Sequence, residues 1–259
     1  MVVDCIEKMK FVALLSGGKD SCYAMHLIAR ENSDNKLVAL ANLKPSESGK
    51  ELDSYMYQTV GQDVLELQAK ALNVPLYQRI IRGKPVNQQM EYNSPVDGDE
   101  VEDLYELLSD VRRDLEFDAV SCGAIHSNYQ RLRAENVCSR LSIKLLSPLW
   151  GRNQIELLQE MIDSGIEALL IKTAALGLDP RQYLGQKIDQ SLLKKLIELN
   201  EKYQLNVCGE GGEYESMTIG CPMFQNKKII IDEYEIVDDG NDNQIVQVSY
   251  LKPIRMHLQ

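Results

Sequence analysis

Residues 16–21 read Ser-Gly-Gly-Lys-Asp-Ser and bring together the kinds of group that bind phosphate. The apolar run Lys10 to Ser16 predicts a buried strand, and helical spacing of apolar residues begins at Ser21. Two adjacent glycines can turn their N–H groups toward one point, and the N-terminus of a following helix adds N–H groups and a positive dipole end. The pattern predicts a phosphate-binding loop, formed by Ser16, Gly17, Gly18, Lys19, Asp20 and Ser21.

The charged side chains of this loop suit a nucleotide with its metal ion. Lys19 adds a compact positive charge, and Asp20 is an acid that makes sense beside phosphates if it holds Mg²⁺. The loop has a single glycine pair and an Asp between Lys and Ser, so it differs from the G-x-x-x-x-G-K-[ST] loop of common NTPases. The alternative is a tight turn in which Ser or Asp caps the helix. We favour phosphate binding because strand, glycines and helix occur together.

The elements that must position this loop follow from the alternation of apolar runs and amphipathic patterns over residues 1–150. Such alternation predicts parallel strands covered by helices on both faces, with ligands at the carboxyl ends of the strands. The expected fold class is therefore α/β, with a doubly wound parallel sheet. We expect strands at residues 10–16, 37–43, 76–81, 118–122 and 144–146, and helices from residue 21 and at 59–72, 100–115 and 128–141.

The pattern changes after Trp150, so we expect a domain boundary near Gly151. Residues 1–150 would form the nucleotide-binding domain, and residues 151–259 a second, smaller α/β domain with a polar C-terminal tail. Its expected elements are helices at 154–163 and 190–203, a strand at 168–172, a loop at 174–185, and β-rich segments at 228–231 and 245–250. The polar run 238–243 would link an edge hairpin or a loose tail. The long polar segments 44–57 and 83–99 are either lids or connectors.

Composition excludes several classes of protein. The 259 residues are 44% hydrophobic and 26% charged, as expected for a folded globular chain. A net charge of −11 makes nucleic acid a disfavoured partner. No apolar run could span a membrane, and the acids near the N-terminus do not suit a secretory signal, so we expect the cytoplasm. The six cysteines form no C-x-x-C pair, and with three histidines they do not suggest a zinc or iron–sulfur site.

Three segments together resemble a known family. The glycine loop resembles the S-G-G-x-D-S loop of the ATP pyrophosphatase superfamily, whose members split ATP between its α and β phosphates. Residues 123–138, GAIHSNYQRLRAENVC, and 207–218, VCGEGGEYESMT, look like signatures of the diphthine:ammonia ligases, and the acidic stretch 98–104 is similar to that family too. The resemblance extends from about Lys10 to Asp232. The loop alone would specify only the superfamily.

The resemblance implies an amide-forming reaction with ATP and Mg²⁺. ATP would activate the carboxylate of diphthine, a modified histidine of translation elongation factor 2, as an acyl-adenylate, and ammonium would supply the nitrogen as AMP leaves. Val2 stands where an N-terminal-nucleophile glutaminase needs a cysteine, so we expect free ammonium as the donor. Lys19 and Asp20 would be catalytic, with Asp20 holding the metal. The implied substrate-facing residues are Tyr129, Glu210, Gly211, Gly212, Glu213 and Glu215.

Arg131 and the acidic glycine turn can each be interpreted in two ways, as functional groups or as ordinary exposed structure. Arg131 opens a predicted helix near the loop and could bridge the α-phosphate or the substrate carboxylate with its planar fork, so we assign it a catalytic role. Alternatively, Arg131 and Arg133 form a solvated helix face. The carboxylates of residues 210–215 could hold ammonium or face the quaternary ammonium group of diphthine, or they could be an exposed turn.

Two other functions stay open. A tRNA-modifying adenylating enzyme of the same superfamily would use the same loop, but the charge of −11 and the scattered cysteines meet its needs poorly. A nucleotide-binding regulatory module without turnover would keep the glycine loop but would not require Asp20 or the acidic glycine turn.

Overall fold

The computed structural model describes residues 9–45, 64–238 and 246–259. A parallel sheet forms the N-terminal part, with strand order β3-β2-β1-β4-β5 and every pairing parallel. The order reverses between β1 and β4, which is where doubly wound sheets open a crevice for ligands. The predicted doubly wound α/β fold is confirmed. Its strands are β1 (Lys10–Leu14), β2 (Lys36–Lys44), β3 (Leu76–Ile80), β4 (Ala119–Ser121) and β5 (Lys144–Leu146).

Helices cover both faces of this sheet because successive strand residues point to opposite sides. In β1, Phe11 and Ala13 join the apolar cluster that contains α1 and α2, whereas Val12 joins the cluster of α3 and α4. No helix in the described ranges is long and apolar enough to cross a membrane. The helices are α1 (Lys19–Glu31), α2 (Leu65–Leu72), α3 (Glu100–Asp114) and α4 (Asn128–Arg140).

A second, antiparallel sheet has the strand order β7-β6-β9-β8. Its buried residues Leu170 and Met217 belong to the same apolar cluster as Phe11 of the first sheet, so the core runs across residue 151 without a break. The domain boundary there stays a prediction. The elements of this part are α5 (Gln154–Asp163), β6 (Glu167–Thr173), α6 (Pro180–Tyr183), α7 (Gln190–Tyr203), β7 (Tyr214–Gly220), β8 (Ile229–Asp238) and β9 (Ser249–Leu258).

Several elements differ from the sequence-based expectation. Strand β7 begins within the segment that we assigned to the acidic glycine turn and continues through the residues after it. Helix α6 lies inside the expected loop 174–185. The C-terminal residues form β9 rather than a polar tail, because Leu251 is buried in the core and β9 pairs with β8 as an edge hairpin. The expected features at 44–57, 59–63 and 239–245 lie wholly or largely outside the described residues.

Candidate functional site

A cavity of about 680 Å³ lies at the carboxyl edge of the parallel sheet, beside the switch in strand order. Its size is in the range of small-molecule sites. The ends of β1 and β2 form its base, and the segment before α4 and the turn at residues 206–212 form two of its walls. The glycine loop forms another through Ser16, Lys19, Asp20 and Ser21, whereas Gly17 and Gly18 lie outside the lining. The fold therefore brings most of the residues predicted from sequence to one place.

The glycine loop takes a shape that requires its first glycine. Gly17 has φ 91°, a backbone conformation that side-chain-bearing residues rarely adopt. Gly18 is the N-cap residue of α1 and has no side chain to cap it, so the alternative of a Ser-capped or Asp-capped helix is wrong. The hydroxyls of Ser16 and Ser21 lie 3.3 Å apart, and Ser21 donates to the Gly18 carbonyl at 3.1 Å. These internal bonds fix the loop next to the positive end of α1.

Residues far away in the chain hold the loop in place. The N–H of Thr218 donates to the Gly17 carbonyl at 2.9 Å, and the Gln68 amide donates to the same oxygen at 3.1 Å. The Ser216 hydroxyl accepts the N–H of Lys19 at 3.1 Å. Sequence reasoning missed Gln68, which belongs to no motif, and it gave no role to Ser216 and Thr218 although both lie in the segment 207–218 that resembles the family.

Lys19 is almost completely buried, and its ammonium group connects the loop to the acidic glycine turn. It lies 3.0 Å from an Asp20 carboxylate oxygen, donates to the Cys208 carbonyl, and sits 5.1 Å from the centre of the Tyr214 ring. Burial disfavours its charge, but the Asp20 carboxylate together with Tyr214 and Cys208 outweighs this, so the pKa of Lys19 is raised. The side chain is therefore a fixed cation in the cavity wall.

Asp20 offers an oxygen that suits a metal ion. Its Oδ1 is buried and has no hydrogen-bond partner, and burial raises the pKa of the carboxyl while Lys19 partly offsets the rise. In the part of the chain that the structure describes, no group of three His, Cys, Asp or Glu side chains could form a metal site. Mg²⁺ bound to a nucleotide needs only one or two carboxylates besides phosphate and water. Asp20 fits that role, which stays a prediction.

The carboxylate of Glu210 binds a row of backbone N–H groups just before α4. Ile125, His126 and Ser127 donate to its Oε1 at 2.9, 2.8 and 3.2 Å. The positive end of α4, which begins at Asn128, adds to this attraction. Glu210 thereby fastens the glycine turn across one side of the cavity. His126, which sequence reasoning left out of the site, also lines this wall.

Replacing Glu210 by alanine is expected to loosen the turn. The half-buried N–H groups of Ile125 and Ser127 and the exposed N–H of His126 would lose their acceptor, which costs about 1–3 kcal/mol of unfolding free energy. Hydrogen exchange read by mass spectrometry should become faster in residues 125–127 and 206–212. Exposed Glu201 provides the matched control, as Glu201→Ala. Unchanged exchange in both segments would contradict the assignment.

The other members of the acidic turn divide into two groups. Gly211 and Gly212 line the cavity with φ of 90° and 83°, and a Cβ at either position would meet no atom within 4 Å. Glu213 is outside the lining, and its carboxylate accepts the N–H of Asn206, so it holds the turn together. Glu215 lines the cavity from β7 and pairs with Lys172, a cavity-lining residue that sequence reasoning missed because it stands alone in a strand.

Arg131 and Tyr129 lie beside the cavity and are not part of its lining. The Arg131 guanidinium pairs with Glu135 at 3.0 Å and lies 4.6 Å from the centre of the Trp150 ring. The Tyr129 hydroxyl donates to the Asn87 carbonyl at 3.3 Å. The structure does not bring these two side chains to the phosphate loop, so their contacts with substrate stay predictions.

Arg133 is completely buried, so its interpretation as part of a solvated helix face is wrong. Its guanidinium donates to the carbonyls of Gln89 at 2.9 Å and Met90 at 3.4 Å, and also to that of Asn87. The rings of Tyr92 and Tyr129 lie against it. Arg133 therefore anchors the long loop at residues 83–99, for which sequence left lid and connector equally open. Every residue has a backbone carbonyl, so the sequence does not indicate which carbonyls the Arg133 guanidinium binds.

Arg133→Met is expected to free this loop and lower stability by about 2 kcal/mol, because the carbonyls would lose their donors inside the protein. Chemical denaturation measures the stability, and limited proteolysis followed by mass spectrometry measures cleavage within residues 83–99. Arg112→Met, on an exposed part of α3, is the control. A wild-type cleavage pattern would contradict the anchoring role.

Fold and site together define an α/β protein with a cavity at the carboxyl edge of a parallel sheet and a glycine loop suited to phosphate. Family models specify more. The diphthamide synthase N-terminal domain matches residues 9–145, and the diphthamide synthase C-terminal domain matches residues 153–250. The chain belongs to the diphthamide synthase family, which confirms the resemblance seen in residues 123–138 and 207–218.

Individual relatives agree with the family assignment. Diphthine–ammonia ligase of Bos taurus is 52% identical over 254 residues, covering 97% of this chain and 93% of that protein. The enzyme of the same name from Danio rerio is 50% identical over 253 residues, covering 97% of each chain. The solved structure of a U34-tRNA thiolase from Methanococcus maripaludis covers 78% of this chain and 70% of its own at 13% identity, with a TM-score of 0.37.

Proposed function

We propose that this protein is an ATP-dependent ligase that converts the carboxylate of diphthine to the amide of diphthamide, with ammonium as the nitrogen donor. The observation that carries the proposal is a phosphate-type glycine loop in one cavity with the acidic turn, in a chain about half identical to diphthine–ammonia ligases. The diphthine-bearing partner is translation elongation factor 2, and the compartment is the cytoplasm. No nucleic acid or membrane takes part.

The first step is activation of the carboxylate. A carboxylate oxygen of diphthine attacks the α-phosphorus of ATP, and the bond from that phosphorus to the bridging oxygen of the β-phosphate breaks. Gly17, Gly18, Lys19 and Ser21 hold the β and γ phosphates, because the Lys19 ammonium group and the positive end of α1 stabilise the charge that leaves with pyrophosphate. Asp20 would hold Mg²⁺, which would neutralise part of that charge when bound.

The charge balance of the cavity supports a metal ion. Three carboxylates line it, from Asp20, Glu210 and Glu215, against the two ammonium groups of Lys19 and Lys172. Such a lining is not net positive, so ATP needs an added cation to enter it.

The second step forms the amide. Ammonia attacks the acyl carbon, the bond from that carbon to the AMP oxygen breaks, and a proton leaves the nitrogen. Glu215 lines the cavity near the expected position of the acyl carbon. Glu210, Gly211 and Gly212 form the part of the wall that the substrate faces. Tyr129 and Glu213 would contact the protein partner at the rim. Arg131 would reach the α-phosphate by releasing Glu135, which is an exposed partner and costs little to leave.

Mass spectrometry of diphthine-bearing elongation factor 2 tests the proposal. With the protein, ATP, Mg²⁺ and ammonium, we expect conversion of acid to amide with AMP as coproduct, and no conversion when any one component is omitted. Formation of ADP, or conversion without ATP, would overturn the adenylation mechanism. A requirement for tRNA would favour a tRNA-modifying adenylating enzyme, and ATP binding without AMP formation would favour a regulatory module.

A further inference from the structure

A buried pair of opposite charges forms part of the cavity wall. Lys172 of β6 and Glu215 of β7 face each other across the antiparallel pairing, with Nζ 3.3 Å from Oε1. Their side chains are only 8% and 14% exposed, and both line the cavity. Desolvation cancels much of the attraction in a pair this buried, so stability alone is a weak reason for its presence. Its position in the cavity wall points to ligand recognition.

The pair is fixed beside the phosphate loop. Ser216, which follows Glu215, accepts the Lys19 N–H at 3.1 Å. Strand β7 therefore carries a contact to the loop and one member of the pair on adjacent residues. A ligand group bound at the pair would lie next to whatever the loop holds.

The other charged groups of the wall have structural duties in this arrangement. Lys19 binds Asp20 and the Cys208 carbonyl, and Glu210 binds the N–H groups before α4. Lys172 and Glu215 are thus a second pair of opposite charges on the wall, on strands β6 and β7 and apart from the pair of Lys19 and Asp20 on the glycine loop.

We propose that Lys172 and Glu215 recognise the two charges of diphthine: the ammonium group of Lys172 binds the carboxylate that is amidated, and the carboxylate of Glu215 faces the quaternary ammonium group. The inference rests on the proposed function. It adds Lys172 as a substrate-binding residue and says which charge of diphthine faces which side chain. A quaternary ammonium has no N–H to donate, so an anion facing it is the recognition available. The product amide is neutral and loses its attraction to Lys172, which favours product release.

Kinetics of neutral variants test the polarity. In Lys172→Met and Glu215→Gln we expect KM for diphthine-bearing elongation factor 2 to rise at least about tenfold, since one charge loses its partner. The Kd of a fluorescent ATP analogue should rise in Lys172→Met and fall in Glu215→Gln, because both side chains line the cavity, and each change should be smaller than the change in KM because the glycine loop itself is intact. Lys187→Met is the matched control, since Lys187 pairs with Glu167 outside the cavity lining. An unchanged KM in both variants would overturn the inference.

A charge swap separates recognition from a purely structural ion pair. Lys172→Glu combined with Glu215→Lys restores the attraction between β6 and β7 with reversed polarity. Recognition predicts that thermal stability returns toward wild type while KM stays high. Recovery of KM together with stability would show a structural role and refute the inference.

A small probe tests the wild-type protein without any substitution. N,N,N-trimethyl-2-aminobutyrate carries a carboxylate and a quaternary ammonium group, whereas 2-tert-butylbutyrate has the same shape without the cation and the methyl ester lacks the anion. We expect competition with the protein substrate at millimolar concentrations from the zwitterion alone. No competition by the zwitterion, or equal competition by all three, would overturn the inference. If wild type forms no amide at all, the proposed function fails instead.

Discussion

Lys19→Met is expected to lower the rate of AMP formation at least about 100-fold, because it removes a preorganised cation from the place where charge develops on the leaving phosphates. The structure adds a second effect. The Lys19 ammonium group also donates to the Cys208 carbonyl and pairs with Asp20, so its loss leaves a buried carbonyl and a part-buried carboxylate without that donor. The unfolding free energy should fall by about 1–3 kcal/mol.

Single-turnover formation of AMP measures the first effect, and chemical denaturation measures the second. Lys70→Met, on the exposed side of α2, is the control for loss of a lysine. Full activity in Lys19→Met would refute the loop assignment. Lost activity with wild-type stability would show that the bond to Cys208 contributes nothing.

Gly123→Ala is expected to raise the Kd for ATP about 100-fold or more, because its methyl group would collide with the start of α1. A Cβ at this position would lie 2.8 Å from the Ser21 nitrogen and 2.9 Å from the Asp20 carbonyl carbon. Both atoms are backbone and cannot turn away, so the N-terminus of α1 must shift and carry the phosphate loop with it. The segment between β4 and α4 is thus packed directly on the start of α1, beside the glycine loop.

Titration with a fluorescent ATP analogue measures this effect. Gly220→Ala is a suitable control, because its methyl group would meet the Glu167 side chain no closer than 3.2 Å and lies outside the cavity lining. Tight ATP binding by Gly123→Ala would show that α1 accommodates the methyl group and that the packing is looser than the structure indicates.

Local sequence signals predicted the parallel sheet and the glycine loop because both depend on short-range patterns. Apolar runs with period two or with full burial mark strands, and the strand-glycine-helix sequence marks the loop. Strand β7 escaped prediction because its first residues, Tyr214 and Glu215, belong to a motif dominated by glycines and acids. Tertiary pairing with β6 overrides that local preference.

The residues that position the site were harder to find than the residues that form it. Gln68 and Ser216 bind backbone atoms of the loop. Every residue has these atoms, so the side chains of the loop do not indicate which residues bind it. Arg131 and Arg133 show the converse problem. Both occur in one recognisable segment, yet the neighbouring loop and Trp150 decide where each guanidinium points, and those partners lie elsewhere in the chain.

The two hydrogen bonds by which β7 holds the glycine loop can form only late in synthesis on the ribosome. Ser216, which accepts the Lys19 N–H, lies 197 positions after it, and Thr218, which binds the Gly17 carbonyl, comes later still. Chains emerge N-terminus first, at roughly 5–20 residues per second. The glycine loop therefore leaves the ribosome well before Ser216 and Thr218, the residues that hold it in place. A nascent chain, or one that ends before residue 216, therefore contains the glycine-loop sequence without the two hydrogen bonds that hold the loop in its shape.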